Sequence, residues 1–238
     1  MDAWRGELRA RRPVDSAAMP TTSRAVIFDV DGVLVDSYRG HLESWVQVAR
    51  EHGLEITEEQ FAKTFGRTSR EIIAEFWGHG LSAERMRAVD DRKEALYRDI
   101  VRADFPAMDG AADLVHALHG AGFRLAVGSS GPPENIELSL DGLGCRDAFE
   151  VVVTGRDVTR GKPDPQVFLI GAERLGLAPS DCVVVEDAPA GVAAARAAGM
   201  RCVALLGTAS AERLAAADLI VASLRELDPA RVGALLRP

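Results

Sequence analysis

The sequence predicts an α/β fold: a doubly wound, Rossmann-like parallel sheet with an α-helical cap inserted after its first strand. Three observations carry this reading. Short apolar runs with the look of buried strands recur at 25–28, 123–128, 150–153, 182–186, 201–206 and 218–221. From Gly110 onward, helical stretches separate most of these runs, the alternation that builds a parallel sheet covered on both faces. Between the first run and the second, residues 37–106 carry helical periodicity and no strand signal.

The elements follow in order. Residues 1–23 scatter Arg5, Arg9, Arg11, Arg12, Pro13 and Pro20 with little periodicity. They have no apolar stretch of the signal-peptide kind, and Asp2, Glu7 and Asp15 speak against a transit peptide. A mobile N-terminal extension is expected there, with Met19 as an alternative start. Ala25-Val26-Ile27-Phe28 is the first strand. After Asp36 the apolar period changes from 2 to 3.6, and His41-Leu42, Trp45-Val46 and Val48-Ala49 form a stripe that ends near Gly53. Thr57-Glu58-Glu59-Gln60 reads as a capping box, and helices are expected at 69–77 and 82–103. Helices then follow at 110–121, 133–143, 165–175, 190–198 and 229–236, interleaved with the remaining strands. The expected organisation is a core of 24–36 and 107–238 around a cap of 37–106.

Polar groups gather at the strand ends. Asp29 and Asp31 close the first strand, and side chains at i and i+2 leave a strand on one face. Gly32 then lets the chain turn away. Two neighbouring acids repel, so they call for a cation between them or a proton on one of them. Both suit phosphoryl transfer, with one Asp as nucleophile and the other moving protons. The strand at 123–128 ends in Ser129-Ser130-Gly131-Pro132-Pro133, hydroxyls ahead of a helix N-terminus that suits an anion. Gly161-Lys162-Pro163-Asp164-Pro165 puts a lysine in a stiff loop, and Cys182-Val-Val-Val-Glu186-Asp187 ends in two more acids. Singly, each has an ordinary explanation: a helix cap, a solvated lysine, an acidic loop before Pro189. Together they stand where open α/β sheets bind ligands.

This ordered set resembles the haloacid dehalogenase-like superfamily of phosphohydrolases over residues 24–222. The resemblance implies an aspartyl-phosphate on Asp29, with Asp31 as general acid and base. It implies Ser129 and Lys162, with Ser130 beside them, holding the phosphoryl oxygens. A Mg²⁺ site would be formed by Asp29, the Asp31 backbone carbonyl, Asp187 and Glu186. The cap would close over the site, exclude water and select the substrate. Hard oxygen donors suit Mg²⁺, and the transferring group needs its charge neutralised by a metal and a lysine.

The cap position and Gly32-Val33 look most like the β-phosphoglucomutase and sugar-phosphate phosphatase branch. Ser37 and His41 stand where that branch places site residues. Phe65-Gly66-Arg67-Thr68-Ser69-Arg70 is similar to its cap loop, and Lys93-Glu-Ala-Leu-Tyr97 to its cap helix. Gly66, Arg67, Arg70 and Lys93 are therefore candidates for substrate contact, although a cap Arg or Lys is often only a surface charge. The mutases carry a Ser-Lys-Asn-like segment where this chain has Gly131-Pro132-Pro133, with no cation to hold a second phosphate. A phosphatase acting on a small phosphorylated metabolite is favoured over a phosphomutase. Asp31 speaks against dehalogenase and phosphonatase chemistry, and the intact acid set speaks against a catalytically silent binding module.

Composition narrows the classes further. The 238 residues are 47% hydrophobic with a formal net charge of −8, and no basic stripe suggests nucleic acid. No apolar run approaches the ~18–20 residues of a membrane span. Cys145, Cys182 and Cys202 are odd in number, which fits free buried thiols in a cytoplasmic protein. The sequence leaves the individual substrate and the oligomeric state open.

Overall fold

Val26 and Phe28 of β1 (Ala25–Phe28) face one side of the sheet, while Ala25 and Ile27 face the other. All four are fully buried, as a central strand covered on both faces requires. The structure, a computed structural model, describes residues 24–64 and 67–236. Its sheet adds β2 (Arg124–Gly128), β3 (Val151–Val153), β4 (Cys182–Glu186), β5 (Arg201–Leu205) and β6 (Leu219–Val221). The order is β3-β2-β1-β4-β5-β6, with every pairing parallel. The order reverses direction at β1, so the crevice at its carboxyl end lies at a topological switch point.

Four helices follow β1: α1 (Tyr38–Glu51), α2 (Glu58–Ala62), α3 (Ser69–Trp77) and α4 (Ala83–Ala103). They bury an apolar cluster of their own, built on Trp45, Val48, Phe61, Ile73 and Leu96. The expected capping box opens α2, and a second one, Thr68 with Glu71, opens α3. The chain returns through α5 (Ala111–Gly120), α6 (Pro133–Leu143), α7 (Gln166–Leu175), α8 (Pro189–Ala197), α9 (Ala211–Leu214) and α10 (Pro229–Ala234). Leu114, Leu118, Ile136, Leu140 and Val232 cover one face of the sheet; Val167, Phe168, Val192, Ala195 and Leu214 cover the other.

The four-residue α9 had no counterpart in the sequence reading, because one turn is too short to display a period. The extension expected over 1–23 lies outside the described residues. No helix among the described residues is long and apolar enough to cross a membrane.

Candidate active site

Each polar group of the site hangs from the carboxyl end of a buried strand. The Asp29 amide donates to the Val185 carbonyl, extending the β1–β4 ladder by one residue. The Ser129 amide donates likewise to Val153 at the end of β2. Asp29, Glu186 and Asp187 are buried, and one carboxylate oxygen from each lies within 4.8 Å of the others. Lys162 enters from the loop before α7. Its Nζ donates to Asp29 Oδ1 and to Glu186 Oε1, both at 2.7 Å.

Glu186 is fully engaged. Oε1 accepts from Lys162, while Oε2 accepts the backbone N–H groups of Asp187 at 2.7 Å and Ala188 at 2.8 Å. Two glycines make room for this packing. Gly32 has φ +77°, a left-handed turn, and a Cβ there would fall on the Asp187 carboxylate. A Cβ on Gly191 would fall on the Glu186 carboxylate. Thr208, just past β5, donates its hydroxyl to Asp187 Oδ2. Sequence reasoning missed Thr208, although a hydroxyl following an apolar strand on this sheet edge was a usable signal.

Charge crowding dominates the electrostatics. Burial pushes the Asp29 carboxyl up, against the pull of Lys162, and Glu186 and Asp31 push it further. Burial and the Glu186 and Asp29 charges push Asp187 up as well. Desolvation disfavours the Lys162 ammonium, but the Asp29 and Glu186 carboxylates outweigh it and raise its pKa.

Asp31 stands at the mouth with its side chain 38% exposed. Desolvation favours its neutral form, yet the hydrogen bond from His41, with Ser37 and the Lys93 charge behind it, prevails and brings its pKa down to about 2. Ser129 is buried, and its Oγ accepts the Gly131 amide at 3.1 Å. A Cβ on Gly131 would lie 3.3 Å from Ser129 Oγ and 3.8 Å from Asp31 Oδ2, so these two groups flank one point.

The cap candidates divide. His41 Nε2 lies 3.3 Å from Asp31 Oδ1, and its ring stacks on Tyr97 at 4.1 Å. Lys93 is 3% exposed, with Nζ 2.9 Å from His41 Nδ1 and 2.8 Å from Glu94 Oε1. Ser37 is buried at the start of α1, beside Asp31. Arg67 lies 3.5 Å from Glu75 within the helical unit. Arg70 lines a cavity of about 250 Å³ between α3 and α4 with Asp90 and Arg87. No hydrogen bond or ion pair among the described residues joins either arginine to the acid cluster. Ser130 is exposed beside Ser129, and Gly66 lies outside the described residues.

A strand-end carboxylate, a second acid two residues on, a half-buried lysine bonded to two of three clustered acids and a buried serine at the next strand's end define a phosphoryl-transfer class of hydrolase. The comparisons agree: the haloacid dehalogenase-like hydrolase model matches residues 23–199, and the chain belongs to that family. It is 35% identical over 217 residues to validoxylamine A 7'-phosphate phosphatase of Streptomyces hygroscopicus subsp. limoneus, covering 88% of this chain and 98% of the relative. It is 38% identical over 206 residues to hexitol phosphatase A of Escherichia coli K12, covering 86% and 93%. A CbbY variant of Rhodobacter sphaeroides, solved with xylulose-(1,5)bisphosphate, superposes with a TM-score of 0.79 at 26% identity, covering 86% of this chain and 96% of that one.

Proposed function

We propose that the protein is a Mg²⁺-dependent phosphatase that hydrolyses a small phosphorylated sugar or polyol through an aspartyl-phosphate on Asp29. The observation that carries this is the cluster of Asp29, Glu186 and Asp187 around Lys162 at the sheet's switch point. The all-oxygen donor set suits Mg²⁺, and three buried carboxylates against one ammonium suit a further cation. Asp29, Asp187 and the Asp31 backbone carbonyl are assigned to hold it. Glu186 lies within the cluster, and its place in this reading is to fix Lys162 and the turn after β4. When bound, the metal neutralises phosphoryl charge and orients the group for in-line attack.

The chain's own residues supply the remaining chemistry. An Asp29 oxygen bonds to phosphorus while the ester P–O bond breaks, and Asp31 gives the leaving alkoxide its proton. Water then attacks the aspartyl-phosphate, Asp31 takes a proton from it, and phosphate leaves with Asp29 restored. The carboxylate form that His41 favours is the one the second half requires. Ser129 and Lys162 hold the phosphoryl oxygens. In this reading 24–36 and 107–238 form the catalytic core, 37–106 the cap, and Lys93, Arg67 and Arg70 serve the substrate's polar part. The free buried cysteines support a cytoplasmic setting.

Two of the relatives carry names for polyhydroxylated phosphate esters, which supports that substrate class. Gly131-Pro132-Pro133 offers no side-chain cation for a second phosphate, which favours hydrolysis over isomerisation. The test is a panel of sugar and polyol monophosphates with Mg²⁺, read as released phosphate. Hexose 1-phosphate with a bisphosphate primer forms the mutase arm. Isomerisation faster than hydrolysis would overturn the proposal.

A further inference from the structure

An unbroken chain of polar contacts leaves the core, crosses the cap and returns to the core. It starts at Asp31 and reaches His41 at 3.3 Å, then Lys93 at 2.9 Å and Glu94 at 2.8 Å. Glu94 Oε2 then accepts from Asn135 Nδ2 at 2.6 Å. Asn135 Oδ1 in turn accepts from Arg98 Nη1 at 3.0 Å, which turns the amide nitrogen toward Glu94. His41 belongs to α1, and Lys93, Glu94 and Arg98 to α4. Asp31 and Asn135 belong to the core, and Asn135 sits in the first turn of α6, just past Ser129 and Ser130.

Nothing in the proposed chemistry uses Glu94 or Asn135, yet both are buried and fully partnered. A buried ammonium persists only when paired, and Glu94 is the carboxylate that pairs Lys93. An ammonium has donors only, so His41 Nδ1 must accept from it. This assigns the imidazole hydrogen to Nε2, facing Asp31. We infer that Glu94 and Asn135 are positioning residues: the Asn135–Glu94 contact seats the cap helix on the core and, through Lys93 and His41, fixes the place and partner of the Asp31 carboxyl. The inference rests on the phosphatase reading for its effect on turnover, but the contact chain itself does not depend on it.

The experiment is a double-mutant cycle on the full chain: N135D, E94Q and E94Q/N135D. N135D sets two carboxylates against each other, whereas the swap restores an amide-to-carboxylate bond with its direction reversed. Activity is read with Mg²⁺ on the best polyol or sugar monophosphate and on p-nitrophenyl phosphate, which engages little of the cap. The ¹⁵N signals of His41, assigned by H41N, report its tautomer without reference to activity. N135D should lower kcat about 10–100-fold on the large substrate and on p-nitrophenyl phosphate alike, because both pass through the Asp31-assisted hydrolysis of the aspartyl-phosphate, whereas kcat/KM for p-nitrophenyl phosphate, whose leaving group needs no proton, should fall no more than about threefold. It should also shift the His41 signals; the swap rebuilds the cap-to-core bond but gives Lys93 an amide oxygen in place of a carboxylate, so it should recover both changes in part and fall short of wild type. If N135D does not fold, N135S removes the contact with Lys93–Glu94 intact and should move both readouts the same way. Wild-type turnover with unmoved His41 signals in a folded variant would overturn the inference, and so would equal losses in kcat/KM on both esters that the swap does not rescue even in part. A wild-type chain that releases no phosphate from any ester would refute the phosphatase reading, while the His41 signals across the cycle would still decide the positioning claim.

Discussion

Replacing Gly191 by alanine sets two physical expectations against each other. Gly191 lies in the first turn of α8, where Gly→Ala ordinarily stabilises a helix by about 1 kcal/mol. Here the added Cβ would fall on the Glu186 carboxylate, which is 1% exposed and has no solvent to swing into. Forcing an extra carbon into a packed site costs about 1–3 kcal/mol. Moving Glu186 also breaks a hydrogen bond to a charged partner, either Lys162 or the paired backbone amides, at a further ~1.5–3 kcal/mol. After the helix gain is subtracted, the net loss is about 1.5–5 kcal/mol. At roughly 2–4 °C per kcal/mol for a chain of this size, Tm should fall by about 3–20 °C in a thermal scan. Because Lys162 loses one of its two carboxylates, kcat on the best phosphate ester should fall at least ~10-fold. A G191A protein that melts at or above the wild-type temperature with unchanged turnover would refute this account of the site's packing.

Other expectations follow from the same geometry. Asp29→Asn should abolish turnover and covalent phosphate incorporation while the circular dichroism stays native, since an amide cannot act as the nucleophile. Asp31→Asn should lower kcat by ~10²–10⁴-fold; a near-wild-type rate, with contaminating phosphatase excluded, would remove it from proton transfer. Mg²⁺ in large excess over its Kd should raise Tm by an amount equivalent to ~2–3 kcal/mol, and Asp187→Asn should abolish most of that rise; an unchanged rise would take Asp187 out of the metal set. Cys145, Cys182 and Cys202 are all buried and free, so a thiol reagent should label them only after denaturant is added. Rapid labelling of the native protein would contradict the packing around them.

The strands were legible because burial on both faces left continuous apolar runs, such as Val183-Val184-Val185 between fully buried neighbours. The acids at their ends were legible because a polar residue ending such a run has little to do in a core. Glu186 was visible as an acid, but its task was not: that depends on Gly191 and Lys162, five and twenty-four residues away, whose spacing carries no period. Glu94 and Asn135 gave no signal at all, since a contact 41 residues apart between a cap helix and a core helix follows from tertiary packing alone. Lys93 stood out as a cap cation, but its near-complete burial did not, because a lysine beside Glu94 on a helix reads equally as a solvated pair. The position of the cap loop falls partly on Phe65 and Gly66, outside the described residues.

Charge balance explains why these groups must occur together. Asp29, Glu186 and Asp187 bring three carboxylates into one buried cluster, and Lys162 answers one of them. Burial and mutual repulsion push Asp29 and Asp187 toward protonation, which would blunt Asp29 as a nucleophile. A divalent cation, as proposed above, would match the two charges that remain and keep Asp29 ionised. Glu186 makes this economical, because its backbone amide bonds satisfy it without drawing on Lys162 alone. The Lys162 ammonium is thereby held at 2.7 Å from Asp29 Oδ1. An arriving phosphoryl dianion then needs donors beyond the balanced cluster. One is at hand in the Ser129 hydroxyl, buried and flanking the same point as Asp31. In the proposed mechanism the cluster and Ser129 therefore divide the work: the cluster would ionise and aim Asp29, and Ser129 would help receive the charge that the substrate brings.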